Sequence, residues 1–182
     1  VYPSNRLELG MPLVDAIGNN LDNLINNVPE PYRKDAAALP VATDFTLTGA
    51  TVNVPGTEKK AQVGNLTWIC HNLWLQYRFS MDESILRNTL YPTLRRAVNF
   101  YLPFLTEDKS GKLHLKRTYS PEYGTAEDCN YDIALLRWGC NTLLEASRIL
   151  SVDDELIPRW KQVAEYLTDY PQDENGMMIG KD

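Results

Sequence analysis

Apolar residues recur at helical spacing in several separate stretches of this 182-residue chain. The longest pattern covers residues 132–150, and a second covers residues 63–79. Shorter patterns lie at residues 11–27, in two pieces at 85–90 and 92–105, and at 154–169. Side chains three and four positions apart share one face of a helix, so this spacing predicts four or five long helices and almost no strand.

The segments between these helices alternate between short turns and long connections. Residues 28–60 carry four prolines and two glycines, and a connection of this length in a compact protein is usually functional or a linker. Its apolar side chains predict an ordered loop packed on the body of the domain: Leu39, Val41, Phe45, Leu47, Val52 and Val54. Residues 106–130 indicate a loop with a possible hairpin turn at residues 108–112. Antiparallel helices joined in this way predict an all-α fold of helical hairpins.

Composition argues against several kinds of partner and cofactor. The net charge of −6 and the pI near 5.0 argue against a nucleic acid, because phosphate groups repel an acidic surface. No apolar run approaches the roughly 18 residues of a membrane span. Cys70, Cys129 and Cys140 have no CxxC spacing and the two histidines complete no zinc site, so we predict no metal and no other cofactor. Each cysteine is expected as a buried free thiol, and a disulfide stays open if the protein is exported.

The first group of candidate binding residues lies on the predicted helix over residues 63–79. Asn65, Trp68 and Asn72 follow an i, i+3, i+7 spacing and therefore share one face, with His71 beside them. Side-chain amides pair with sugar hydroxyls and an indole stacks on the C–H face of a sugar, so we predict a carbohydrate-binding surface here. Two structural interpretations stay open: a core position for the tryptophan, and a hydrogen-bonded interior position for His71.

A turn bounded by proline and glycine, at residues 118–124, holds the second group. Glu122 near its centre is a candidate general acid, because glycoside hydrolysis needs a carboxylic acid that protonates the leaving oxygen. Tyr123 and Asp128 extend this polar, aromatic rim and are predicted to bind substrate. For Asp128 and its neighbour Asn130, capping of the following helix is the structural alternative.

The order of these motifs resembles the catalytic domain of family 95 glycoside hydrolases, the α-L-fucosidase and α-L-galactosidase-like enzymes of gut bacteria. The similarity runs from Val-Gly-Asn-Leu-Thr-Trp at residues 63–68 and Leu-Trp-Leu-Gln-Tyr-Arg-Phe at residues 73–79 to Tyr91-Pro92 and Ser120-Pro121-Glu122, and it closes at residues 173–180. It spans most of residues 5–182 and is closer to a Bacteroidetes branch than to the fucosidases.

The resemblance implies an (α/α)6 toroid of six helical hairpins, an inverting mechanism and the general-acid role for Glu122. It implies a water-activating pair of asparagines upstream of this stretch and a supporting aspartate downstream. Asp44 falls near a Thr-Asp position of the family. The fucosidases carry His-Asn-Thr-Asp there, and this chain has Pro-Val-Ala-Thr-Asp at residues 40–44.

We therefore expect residues 1–182 to form a single helical domain, a fragment of a larger toroid in a bacterial protein that is periplasmic or extracellular. Its expected partners are an oligosaccharide or polysaccharide substrate and the remaining barrel helices, and the fragment alone is expected to be inactive. The predicted function is hydrolysis of glycosidic bonds, with a non-catalytic carbohydrate-binding or scaffold module as the alternative. A polysaccharide lyase on a similar toroid is a third hypothesis, kept open by His71 and the tyrosines.

Overall fold

The computed structural model describes residues 1–57 and 59–181 and shows a mainly helical fold. The helices are α1 (Met11–Asn19), α2 (Leu21–Asn26), α3 (Asn65–Ser80), α4 (Glu83–Ile85), α5 (Tyr91–Asn99), α6 (Asn130–Leu150) and α7 (Ile157–Tyr166). A π-helical turn at Leu86–Leu90 joins α4 to α5, and short 3-10 turns lie at Leu7–Gly10, Glu30–Tyr32 and Leu102–Phe104.

Short β-hairpins accompany the helices and correct the expectation of almost no strand. The strands are β1 (Leu105–Glu107), β2 (Leu113–Leu115), β3 (Thr118–Ser120), β4 (Gly124–Ala126), β5 (Gln172–Asp173) and β6 (Gly176–Met177). They pair as β1–β2, β3–β4 and β5–β6, each pair antiparallel. The turn predicted at residues 108–112 connects β1 to β2, and residues 174–175 connect β5 to β6.

Helix α3 and helix α6 confirm the two longest periodic patterns to within two residues at each end. The predicted helix over residues 11–27 is instead divided at Asn20, whose backbone leaves the helical region at φ −123° and ψ 23°. The Asn20 side-chain amide donates to the Ala16 carbonyl at 2.8 Å. Asparagine competes in this way with the backbone ladder, which explains the break.

Residues 83–99 form one continuous helical segment, although Pro92 predicted a restart there. The Tyr91 N–H donates to the Leu86 carbonyl five residues earlier, so the ladder widens before the proline, which has no N–H to contribute. The helix then ends at Asn99, earlier than the predicted residue 105, and the chain turns through a 3-10 segment into β1.

Helices α3, α5 and α6 meet at Gly139, and this contact organises the core. A Cβ at Gly139 would lie 2.7 Å from Cγ2 of Val98 on α5 and 3.5 Å from Cγ2 of Thr67 on α3. Only glycine allows so close an approach of the helix backbones. Buried leucines of all three helices join this core: Leu66, Leu73, Leu94, Leu136 and Leu143. Helix α7 packs against α6 and buries Trp160.

The last helix begins at Ile157, three residues after its predicted start, because Asp154 takes part in a different interaction. The Asp154 carboxylate accepts hydrogen bonds from Arg95 Nε at 2.7 Å and from the Tyr91 hydroxyl at 3.0 Å. Its other oxygen accepts from the Leu156 N–H at 3.0 Å. This ion pair ties α5 to the start of α7.

The long connection between α2 and α3 is ordered, as predicted, and Asn27 holds it. The Asn27 side chain donates to the Leu47 carbonyl at 2.8 Å and accepts from the Gly49 N–H at 3.1 Å. Val52 is buried, but Val41 and Phe45 are 75% and 92% exposed, so their predicted packing on the body is wrong.

The three cysteines are buried free thiols, as expected. Across the described ranges, no helix is long and apolar enough to cross a bilayer.

Replacement of Gly139 by alanine is expected to destabilise the fold. The added methyl overlaps Val98, and overpacking of this kind costs about 1–3 kcal/mol, which outweighs the gain of roughly 1 kcal/mol in helix propensity. Urea denaturation should show a net loss of up to about 2 kcal/mol. Asn141→Ala, at an exposed position of the same helix, is the matched control and should stay within about 0.5 kcal/mol of the wild type. Equal stability of both variants would contradict the close contact of the three helices.

Candidate active site

The hairpin β3–β4 presents Glu122 at its turn. Ser120 pairs with Gly124, and the Tyr123 N–H donates to the Ser120 carbonyl at 3.2 Å. Pro121 occupies the second position of this turn, and Glu122 follows with a left-handed backbone at φ 67°. A residue other than glycine costs about 1–3 kcal/mol in such a conformation, so the surrounding structure must hold the Glu122 backbone in place.

The end of the long connection runs beside this hairpin. The Tyr119 N–H donates to the Ala61 carbonyl at 3.0 Å, and the Gly56 N–H donates to the Arg117 carbonyl at 2.8 Å. These bonds bring Lys60 to the hairpin, where its ammonium lies 4.7 Å from the centre of the Tyr119 ring.

Glu122 lines a surface cavity of about 370 Å³, together with Val41, Lys60, Gln62, Tyr119 and Pro121. A neighbouring cavity of about 360 Å³ contains three of the predicted binding residues, and its lining is Leu39, Pro40, Val41, Gln62, Asn65, Trp68, Ile69 and Asn72. The two cavities share Val41 and Gln62, and we refer to them together as the groove. The groove thus joins the candidate acid to the predicted carbohydrate-binding face of α3.

Asn65 organises the centre of the groove. Its Oδ1 accepts hydrogen bonds from Gln62 Nε2 at 3.0 Å and from the Tyr131 hydroxyl at 3.3 Å. Its Nδ2 donates to the Leu39 carbonyl at 3.2 Å. The amide therefore links the long connection, α3 and α6, and it orients Gln62 towards the groove.

Trp68 lies on the surface, so the core interpretation of this tryptophan is wrong. Its side chain is 55% exposed and meets the Tyr131 ring edge-on, with 5.7 Å between ring centres. Gly64 makes room for that tyrosine, because a Cβ there would lie 2.5 Å from the Tyr131 ring. An indole with an open face, held by a neighbouring aromatic ring, is suited to stacking on a sugar.

Four residues singled out from the sequence lie outside the groove lining: His71, Tyr123, Asp44 and Asp128. The His71 ring packs edge-on against Trp138 at 5.2 Å, and it forms no hydrogen bond with any residue that the structure describes, so the hydrogen-bonded interior interpretation is wrong. Tyr123 is strongly exposed at the hairpin turn. Asp44 lines neither cavity: its Oδ1 accepts from the N–H groups of Thr46 and Thr48 and stabilises a local turn.

Asp128 is 1% exposed, and both of its carboxylate oxygens are bound within the protein. One carboxylate oxygen accepts from the Leu115 N–H at 2.7 Å, and the other lies 2.6 Å from Nδ1 of His114. The capping alternative for this residue is wrong, because Cys129 occupies the position before α6. Asn130 is the first residue of that helix, and its side-chain amide donates to the Met178 carbonyl instead.

Sequence patterns did not reveal Lys60, Gln62 and Tyr119 as groove residues. The first two lie on an irregular connection without periodicity, and Tyr119 belongs to a strand of three residues. Their meeting depends on the hydrogen bond between Tyr119 and Ala61, which joins segments far apart in sequence. The proline-glycine turn nearby was the one signal that pointed to this end of the groove.

Residues 2–179 match the glycosyl hydrolase family 95 catalytic domain. The chain belongs to glycosyl hydrolase family 95. The match confirms the family that the order of motifs along the sequence suggested.

Two similar proteins carry fucosidase names. Alpha-L-fucosidase 2 of Arabidopsis thaliana is 31% identical over 101 residues, which cover 50% of this chain and 12% of that protein. Probable alpha-fucosidase A of Aspergillus niger is 37% identical over 60 residues, which cover 31% of this chain and 8% of that protein. The family 95 chain thus aligns with a small part of the length of either relative.

His114→Ala is expected to destabilise the protein by about 2–4 kcal/mol, because it leaves the buried Asp128 carboxylate without its histidine partner. Urea denaturation at neutral pH measures this loss. His71→Ala is the matched control, and its loss should be smaller because His71 pairs with no buried charge. Adding Asp128→Asn to the His114 variant should restore part of the stability, since a neutral amide costs less to bury. A double variant weaker than both single variants would contradict this role for Asp128.

Proposed function

We propose that this chain is part of a bacterial glycoside hydrolase that acts by an inverting mechanism, with Glu122 as general acid. The observation that carries the proposal is the position of Glu122 in a groove whose other end displays an exposed indole and side-chain amides. Membership of family 95 supports the reaction class. We further propose that the helices belong to an (α/α)6 toroid and that the complete protein is periplasmic or extracellular.

In this proposal the sugar stacks on Trp68, while Gln62 and Asn72 provide amide groups for its hydroxyls. Glu122 then protonates the glycosidic oxygen as the bond to the leaving group breaks. Glu122 is exposed in the empty groove, and substrate there would exclude water from its carboxyl. Exclusion of water favours the protonated form that a general acid needs.

An inverting reaction also needs a group that activates water on the opposite face of the sugar. Among the described residues that line the groove, Glu122 is the one carboxylate. We propose that the water-activating group comes from another part of the complete protein, in agreement with the asparagine pair that the family resemblance implies. The names of the two relatives make an α-fucosidic linkage the first substrate class to test.

The same observation favours one alternative, a binding module that holds a glycan without cleaving it. Calorimetry on the full-length protein distinguishes the two functions. Binding of fucosylated oligosaccharides without release of sugar over a long incubation would support the binding module and overturn the hydrolase.

Glu122→Gln in the full-length protein is expected to lower kcat/KM by roughly 10²–10⁴-fold, because the amide cannot deliver a proton. Affinity for the oligosaccharide should change little, since Gln keeps the size and polarity of the side chain. Glycosyl fluorides, whose leaving group needs little protonation, should be hydrolysed almost as fast as by the wild type.

Glu107→Gln is the matched control, because Glu107 is an exposed glutamate on β1 outside the groove lining. It should retain full activity. Unchanged turnover by the Glu122 variant on an ordinary glycoside would remove Glu122 from the mechanism.

A further inference from the structure

The hairpin that carries Glu122 needs an anchor in the body of the protein. Each of its strands has three residues, and an isolated two-stranded hairpin is marginally stable at best. Its turn also holds Glu122 in a left-handed conformation, which persists only where the surroundings fix the backbone. The interactions at the base of the hairpin therefore decide where the Glu122 carboxyl points.

A buried polar cluster lies at this base. Thr118 begins β3, Asp132 lies in the first turn of α6, and Tyr101 follows α5; all three are 0% exposed. The Tyr101 hydroxyl donates to Asp132 Oδ1 at 2.8 Å. The Thr118 hydroxyl faces the same carboxyl group, and the three side chains join three different parts of the fold.

The remaining polar atoms of the cluster match one another. Asp132 Oδ2 and Thr118 Oγ1 are both buried, and neither forms a hydrogen bond with any described residue. A buried polar atom without a partner is costly, and these two belong to elements in contact, so a small adjustment that pairs them would satisfy both. A threonine hydroxyl both donates and accepts, and it can therefore pair with Asp132 in either protonation state.

Burial raises the pKa of Asp132 to about 7, against the lowering effect of the nearby Thr118 and Tyr101 hydroxyls. The titratable groups that face Asp132 are Tyr101, Tyr131 and Cys129, and no cation faces it among the described residues. The carboxyl therefore has no partner of opposite charge, and its hydrogen bonds are its means of support.

We propose that Asp132 is a positioning residue for Glu122: its second oxygen pairs with the Thr118 hydroxyl, so that the carboxyl links Tyr101 to Thr118 and fixes the start of β3. The hairpin is then held on two sides: by Thr118 on α6, and by the Tyr119 bond to Ala61 on the long connection. The consequence for catalysis rests on the proposed function, whereas the anchoring of the hairpin does not.

Hydrogen exchange on this chain tests the anchor directly. Thr118→Val keeps the shape of the side chain and removes the hydroxyl. The amides of residues 118–126 should exchange at least about tenfold faster, while those of α3 and α6 keep their protection. Thr125→Val is the matched control, because Thr125 is an exposed threonine on the other strand, paired with Tyr119, and it should leave exchange unchanged. Equal hairpin protection in both variants would overturn the proposal.

The Asp132 variants separate positioning from simple stability. Asp132→Asn retains an acceptor for Tyr101 and gains a donor for Thr118, so it should keep the hairpin protected. Asp132→Ala should release it, and if that variant does not fold, the threonine pair still decides the question.

In the full-length protein, Thr118→Val should lower kcat about tenfold with KM within a factor of two, and Asp132→Asn should retain most of kcat. A rise in KM with unchanged kcat, or an equal fall in kcat in both variants, would contradict the positioning role. An active Glu122→Gln protein would refute the proposed function and leave the exchange result intact, so the two failures are distinguishable.

The raised pKa of Asp132 gives a further readout. Between about pH 4 and pH 7 the unfolded chain ionises this carboxyl while the folded protein keeps it protonated. The contribution of Asp132 should therefore increase the unfolding equilibrium constant by up to about tenfold per pH unit as pH rises through this range, and level off above it. Urea denaturation of Asp132→Asn should lack this component, and the same pH dependence in that variant would contradict the burial of the ionisable group.

Discussion

The approach of three helices at Gly139 is the constraint on which the groove depends. At that point α6 comes close enough to α5 and α3 to contact Val98 and Thr67. The contact fixes α3, whose outer face carries Trp68, and it fixes the first turn of α6, which carries Asp132. The α3 wall of the groove and the helix beneath the hairpin are thus set by a position that has no side chain.

Long-range hydrogen bonds bring the helices, the long connection and the hairpin together around the groove. Asn65 receives bonds from the long connection and from α6, and the Tyr119 bond to Ala61 aligns the hairpin with the same connection. The buried junction at Asp132 lies below that hairpin. The arrangement of side chains in the groove therefore depends on polar contacts beneath the surface. These contacts fix the loops relative to the helices.

The helices were predictable from sequence, because α3 and α6 carry several turns of regular apolar spacing. Pro92 misled the prediction, since a widened turn before it keeps the helix continuous. The turn at residues 108–112 indicated one hairpin, and the other two were missed because strands of two or three residues are too short to show alternation. The structure places Glu122, Asn65, Trp68 and Asn72 in the groove lining. These four were chosen as candidates because residue type and spacing are local properties. Gln62 was not, because its place in the groove depends on contacts between distant segments.

The hydrogen bond between Tyr119 and Ala61 has a consequence for how the empty and occupied groove differ. It is one of two backbone hydrogen bonds, with that from Gly56 to Arg117, on the seam between the hairpin and the long connection, beside an otherwise open cleft. A sugar that contacts both sides of this seam would cross-brace it, and it would bind the closed arrangement in preference to any opened one. In the proposed function, ligand affinity would therefore be coupled to local rigidity at this seam, because a bound sugar would stiffen it.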